Sequence, residues 1–151
     1  MISFRNHEKF DKDATIIFID KEQVKQKDFL FKDKNLEESL VQLIKEDRFS
    51  GEKDEVFPFI AKKNKLVLFV GVGKSEDQNL TALRITVKKA LASSYLKKCE
   101  ALELITHSTE EKSIIAIIEG IMIGTYKWEK YKSTSKDSKS KTLSNVTIVC
   151  E

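Results

Sequence analysis

Short apolar runs separated by polar, turn-forming segments constrain this chain more than any other feature. Ile16-Ile17-Phe18-Ile19 and Leu66-Val67-Leu68-Phe69-Val70 are apolar at every position. A strand alternates its side chains between two faces, so an unbroken apolar run fits a strand covered on both sides. Residues 2–5, 14–19, 55–61, 66–71, 101–105 and 145–150 read as strands, four of them nearly continuous apolar runs. Val56-Phe57-Pro58-Phe59-Ile60 carries the chain's only proline. A residue that cannot donate to a ladder belongs at a sheet edge, so this strand is expected on the periphery.

Helical periodicity falls between the strands. Asn35 reads as an N-cap with Glu38 three residues on, and Leu36, Leu40, Leu43 and Ile44 share one face. A second helix is expected over 79–98, with Leu80, Leu83, Val87, Leu91 and Tyr95 toward the core and Arg84, Lys88 and Lys89 in water. Residues 110–126 contain Ile114-Ile115-Ala116-Ile117-Ile118, which also fits a buried strand; the segment's length favours a helix. Ala116, Gly120 and Gly124 then form a stripe of small residues where another element approaches closely. This alternation defines an α/β fold with three layers: a mixed β-sheet of about six strands flanked by helices on both faces.

With 151 residues and 40% hydrophobic content, residues 1–151 are expected to form one domain with one continuous core. Residues 133–142 contain nothing apolar and are expected to be a flexible loop. The chain then re-enters the core with Leu143, Val146, Ile148 and Val149 and stops at Glu151, directly after that strand. Such an ending suggests a domain cut from something longer.

Composition excludes several classes. No apolar run approaches the roughly 20 residues of a membrane helix, and the N-terminus lacks a signal-peptide core, so a cytoplasmic protein is expected. Cys99 and Cys150 have no neighbouring ligands at zinc-site spacing and read as free, buried thiols. Residues 1–126 hold 21 basic and 21 acidic side chains; the excess charge lies in 127–141, six lysines against Glu129 and Asp137. That stretch reads as a solvated linker, which disfavours a nucleic-acid partner.

Leu68-Phe69-Val70-Gly71-Val72-Gly73-Lys74-Ser75 places glycines after a strand and before a helix, where backbone amides can meet a phosphate. A P-loop needs a glycine where Leu68 stands, and a dinucleotide fingerprint needs one where Glu76 stands. Gly71, Gly73, Lys74 and Ser75 are therefore weak anion-site candidates, and a tight turn is the favoured role. His7 and His107 stand alone and read as solvated or locally bonded imidazoles. Neighbouring acids such as Glu37-Glu38, Asp54-Glu55 and Glu110-Glu111 do not converge on a metal. Tyr126, Trp128 and Tyr131, interleaved with lysines, read as packing aromatics at a helix end. No catalytic or metal-binding residue is expected.

The turn Leu66 to Lys74, the helix with Leu83-Arg84 and Ala90, and the run from Glu119-Gly120 through Gly124-Thr125-Tyr126-Lys127-Trp128-Glu129-Lys130-Tyr131-Lys132 resemble, in order and spacing, the N-terminal domain of leucyl aminopeptidases. Trp128, where phenylalanine is usual, departs mildly from that pattern. The resemblance implies a macro-domain-like fold and a parent metallopeptidase, a hydrolase that removes N-terminal amino acids from peptides with two zinc or manganese ions. Those ions belong to a C-terminal catalytic domain absent here, so the resemblance implies no cofactor in this domain. It also implies a homo-oligomeric parent and an accessory role in assembly or access to the catalytic domain. The alternative is a macro-like module binding ADP-ribose or a nucleotide.

Overall fold

The apolar runs become the interior of one sheet. The computed structural model describes residues 1–29, 31–74, 79–108, 110–126 and 143–150. Strands β1 (Ile2–Arg5), β2 (Ala14–Asp20), β3 (Val56–Ala61), β4 (Lys65–Gly73), β5 (Ala101–Thr106) and β6 (Asn145–Cys150) lie in the order β1-β6-β5-β2-β4-β3. All neighbours are parallel except β3, which runs antiparallel to β4 at one edge and carries Pro58, as expected. β2 lies between β5 and β4, and Ile16, Ile17 and Ile19 on it are fully buried, as a strand covered on both faces requires.

Helices α1 (Lys21–Gln26), α2 (Lys34–Lys45), α3 (Leu80–Leu91) and α4 (Glu111–Thr125) supply the covers. Ile16, Phe18, Leu68 and Val70 pack with Val87 and Ala90 of α3 and Ile117 and Ile121 of α4. The alternate residues Ile17, Ile19, Val67 and Phe69 pack with Leu36, Leu40 and Leu43 of α2 and with Phe29, Phe31 and Phe49 from loops. Each fully buried aliphatic or aromatic side chain contributes about 1.5–3 kcal/mol, and two such clusters back to back make the three layers.

The helix limits differ from the sequence reading for physical reasons. Asp33, not Asn35, caps α2, its carboxylate accepting from the amides of Asn35 and Leu36. α1 was not expected; Asp20 and Gln23 close a reciprocal capping box at its start. Asn79 caps α3, but the helix ends at Leu91 rather than near Lys98. A helix over 79–98 would run about 30 Å, whereas the six-residue β5 that follows spans about 20 Å. The chain instead turns through Ser94–Leu96, which buries Leu96 and leaves Tyr95 half-exposed rather than facing the core.

The small-residue stripe of α4 is where the two helices of that face meet. A Cβ on Gly120 would lie 2.8 Å from Val87 Cβ and 2.9 Å from the Arg84 carbonyl, so the helix axes approach closer than any larger residue allows. An Arg84–Glu119 ion pair closes the outer side of the contact. Cys99 is buried, Cys150 is partly so, and neither is disulfide-bonded. The expected loop at 133–142, with Trp128 and Tyr131, lies outside the described residues, whereas Tyr126 is mostly exposed rather than packed onto the sheet.

Candidate functional site

The carboxyl ends of β2, β4 and β5 bring the sequence candidates together. Gly71 and Gly73 end β4, but their backbone is committed within the protein. The Gly71 amide donates to the Glu55 carbonyl at 2.8 Å, the Gly71 carbonyl accepts from Asp54 N at 3.0 Å, and the Gly73 amide donates to the Gly51 carbonyl at 3.0 Å. A Cβ at Gly71 would fall 2.0 Å from the Glu52 carbonyl oxygen, so close backbone approach requires glycine there. Gly73 is required instead for its φ of +80°. An anion cradle needs outward amides, and these two point into the 51–55 segment. Lys74 is exposed and borders a cavity of about 130 Å³ with Lys21 and Lys53; Lys21 is paired with Glu52, and Ser75 lies outside the described residues.

The 51–55 segment is itself tied to α3. Asp54 accepts from Thr86 Oγ1 at 2.8 Å and from Lys89 Nζ at 2.5 Å. Burial opposes its ionisation, but the Lys89 and Thr86 hydrogen bonds outweigh burial and hold the carboxyl below the usual carboxylate range. Glu55 accepts from the amides of Ser50 and Glu52. This acidic pair is thus structural, and its two members do not share a ligand.

Beside the end of β4, Phe18, Asp20, Gln23, Val72, Leu83, Thr106, His107 and Ser108 line a cavity of about 200 Å³. Phe18, Asp20, Val72 and Thr106 project to the α3–α4 side of the sheet by strand alternation, and Leu83 of α3 closes over them. His107 departs from the expected solvated or locally bonded imidazole. Both ring nitrogens are buried, with no hydrogen-bond partner among the described residues. Burial pushes the imidazole below its ordinary pKa, against the opposing pull of Asp20 and Asp28. The neutral ring is therefore the form the site favours. His7 is exposed.

One buried carboxylate was not singled out in the sequence. Glu103 of β5 is fully buried and accepts from the amides of Lys9 and Phe10 at 3.0 and 2.9 Å, with Arg5 Nη1 at 3.4 Å. It fastens the β1–β2 connection to the sheet. Its only sequence signal is a charge inside an apolar run, Ala101-Leu102-Glu103-Leu104-Ile105. Among the described residues, no group of three or more His, Cys, Asp or Glu is placed to hold a metal ion. No helix among them is long and apolar enough to cross a membrane.

Fold and site together define a three-layer α/β domain whose strand ends carry a cavity but no assembled metal or nucleophile constellation among the described residues. The sequence model described as "Cytosol aminopeptidase family, N-terminal domain" matches residues 16–135, and the chain belongs to that family as its N-terminal domain. It is 34% identical over 99 residues to a "probable cytosol aminopeptidase" of Treponema denticola, covering 63% of this chain and 21% of that one. A protein of the same description from Alkaliphilus metalliredigens is 28% identical over 127 residues, covering 79% of this chain and 25% of that one. The chain thus spans about a quarter of the length of these relatives. Among solved structures, a tomato leucine aminopeptidase mutant superposes with a TM-score of 0.71 at 18% identity, covering 98% of this chain and 32% of that one. The bottromycin maturation enzyme BotP gives 0.64 at 14% identity, covering 91% of this chain and 27% of that one. Both show the shared fold.

Proposed function

We propose that this chain is a non-catalytic accessory domain of a longer, cytoplasmic, metal-dependent aminopeptidase, supporting assembly or shaping access to a separate C-terminal catalytic domain. One observation carries the reading: the family match covers most of this chain, while the chain spans only about a quarter of the relatives it matches. The zinc or manganese pair implied by the family does not fit the donors among the described residues. In this reading the parent is a homo-oligomer that removes N-terminal residues from peptides. The ADP-ribose or nucleotide alternative has less support, because the Gly71 and Gly73 amides are already used within the protein.

Two measurements test the proposal. The purified chain, supplied with zinc or manganese, is expected to leave leucine p-nitroanilide intact; turnover abolished by a chelator overturns the non-catalytic assignment. In the Treponema denticola relative, replacing the matched N-terminal stretch with this chain is expected to preserve peptidase activity and oligomeric size, and deleting that stretch to impair at least one. If the deletion changes neither, the accessory role fails.

A further inference from the structure

The crevice at the carboxyl ends of β2 and its two neighbours arises from the topology. The connection after β2 leaves over the α2 face, whereas those after β4 and β5 leave over the α3–α4 face. Diverging connections open a gap at the strand ends, the usual place for a ligand in an open α/β sheet. Here that gap is the cavity of about 200 Å³. Ligand pockets for drug-sized molecules run from about 300 Å³ upward, so the space fits something smaller.

We propose that this cavity binds a small organic cation, a primary ammonium on a short apolar tail, with Asp20 and a His107 ring nitrogen receiving the ammonium and Phe18, Val72 and Leu83 receiving the tail. The proposal is independent of the accessory-domain reading and stands or falls without it. Asp20 is the lining side chain with a formal charge, and no lysine or arginine lines the cavity among the described residues, so the described lining favours a cation over an anion. The Asp20 carboxylate accepts from Gln23 N at 2.7 Å, and a carboxylate has lone pairs for several donors.

His107 supplies the second acceptor. A neutral imidazole has one acceptor nitrogen, and both nitrogens here are buried and unpaired among the described residues. A half-turn of the ring exchanges each nitrogen with a ring carbon while keeping the ring plane, which gives an entering ammonium a nitrogen to meet without moving the backbone. Gaining a partner relieves a buried polar atom that otherwise has none. Thr106, the remaining buried polar group of the wall, is already engaged, its Oγ1 accepting from Ser108 N at 3.3 Å.

The chain has only two histidines, and His7 is exposed, so imidazole resonances give a site-specific readout with an internal control. The purified chain is titrated at constant neutral pH with n-butylammonium, and separately with 1-butanol and with butyrate. Butylammonium is expected to move the His107 ring signals saturably, leave those of His7 in place, and bind about tenfold more tightly than butanol, with butyrate weakest. His107→Phe should abolish the preference. Asp20→Asn keeps a residue that caps α1 and should bring butylammonium and butanol to near parity. The proposal is overturned if the three probes bind alike, if His107 does not respond at millimolar ligand, if His7 responds equally, or if Asp20→Asn leaves the preference intact.

Discussion

On one face of the sheet, α2 presents a clean apolar stripe, and much of the remaining cover is aromatic rings delivered by loops. Phe29 and Phe31 stack at 5.8 Å, and Phe49 and Phe59 each lie 6.1 Å from Phe69. On the other face, α3 and α4 lie against each other with glycine between them and aliphatic side chains beneath. The first cover fills its space with a few large groups, so it is sensitive to losing volume. The second gains contact by bringing backbones together and is sensitive to gaining it.

The largest effect is expected where a single ring does most of the filling. Phe49→Ala removes a side chain that is 1% exposed and lies outside any helix or strand that could shift to close the gap. A loss of about 3–5 kcal/mol in urea unfolding is expected. A loss below about 1 kcal/mol would mean the loops collapse into the cavity and the aromatic cover is adaptable.

The opposite face is tested by addition. In an isolated helix, alanine is favoured over glycine by about 1 kcal/mol. At Gly120 the new methyl would meet Val87 Cβ and the Arg84 carbonyl, neither of which is the free end of a flexible chain. Gly120→Ala is therefore expected to cost a net 1 to 2 kcal/mol, about the scale of overpacking, with the sign opposite to helix propensity. A stabilised variant would show that the helices separate without penalty and would erase the contrast between the faces.

These two faces were unequally legible in sequence. Runs such as Leu66 to Val70 forced two-sided burial, Pro58 marked the edge, and the spacing of Ala116, Gly120 and Gly124 announced the close helix contact. Phe29, Phe31 and Phe49 carry no periodicity, because rings placed by loops obey no repeat, and half of one cover was thus invisible. The short α1 was missed because six residues are too few to show a period; only Asp20 and Gln23 at cap spacing could have revealed it. At the site, the sequence favoured a tight turn for the glycines; both lie within the last residues of β4, and glycine is required there for different reasons: space at Gly71, positive φ at Gly73. That distinction depends on the 51–55 segment, some twenty residues away in sequence. His107 read as bland because burial of its ring depends on β2 and α3 converging over it, which one lone histidine after a strand cannot announce.

His107 provides the smallest and most specific test, since it stands at the open end of the glycine-packed face, where the cover stops. Its folded-state pKa is lowered, chiefly by burial, with Asp20 and Asp28 pulling the other way. The unfolded chain therefore takes up this proton at a higher pH than the folded one, near the ordinary histidine value of about 6.5. The stability contributed by the neutral ring is complete above that value and declines as the pH falls from there toward the lower folded pKa. Urea unfolding between about pH 7.5 and 5 should show a slope attributable to one proton, no steeper than about 1.4 kcal/mol per pH unit. His107→Asn should flatten it in that window, while exposed His7 contributes equally to both chains. Parallel curves for the two chains would mean that the ring reaches water freely, and that the wall of the cavity at the strand ends is looser than the glycine-packed helices beside it.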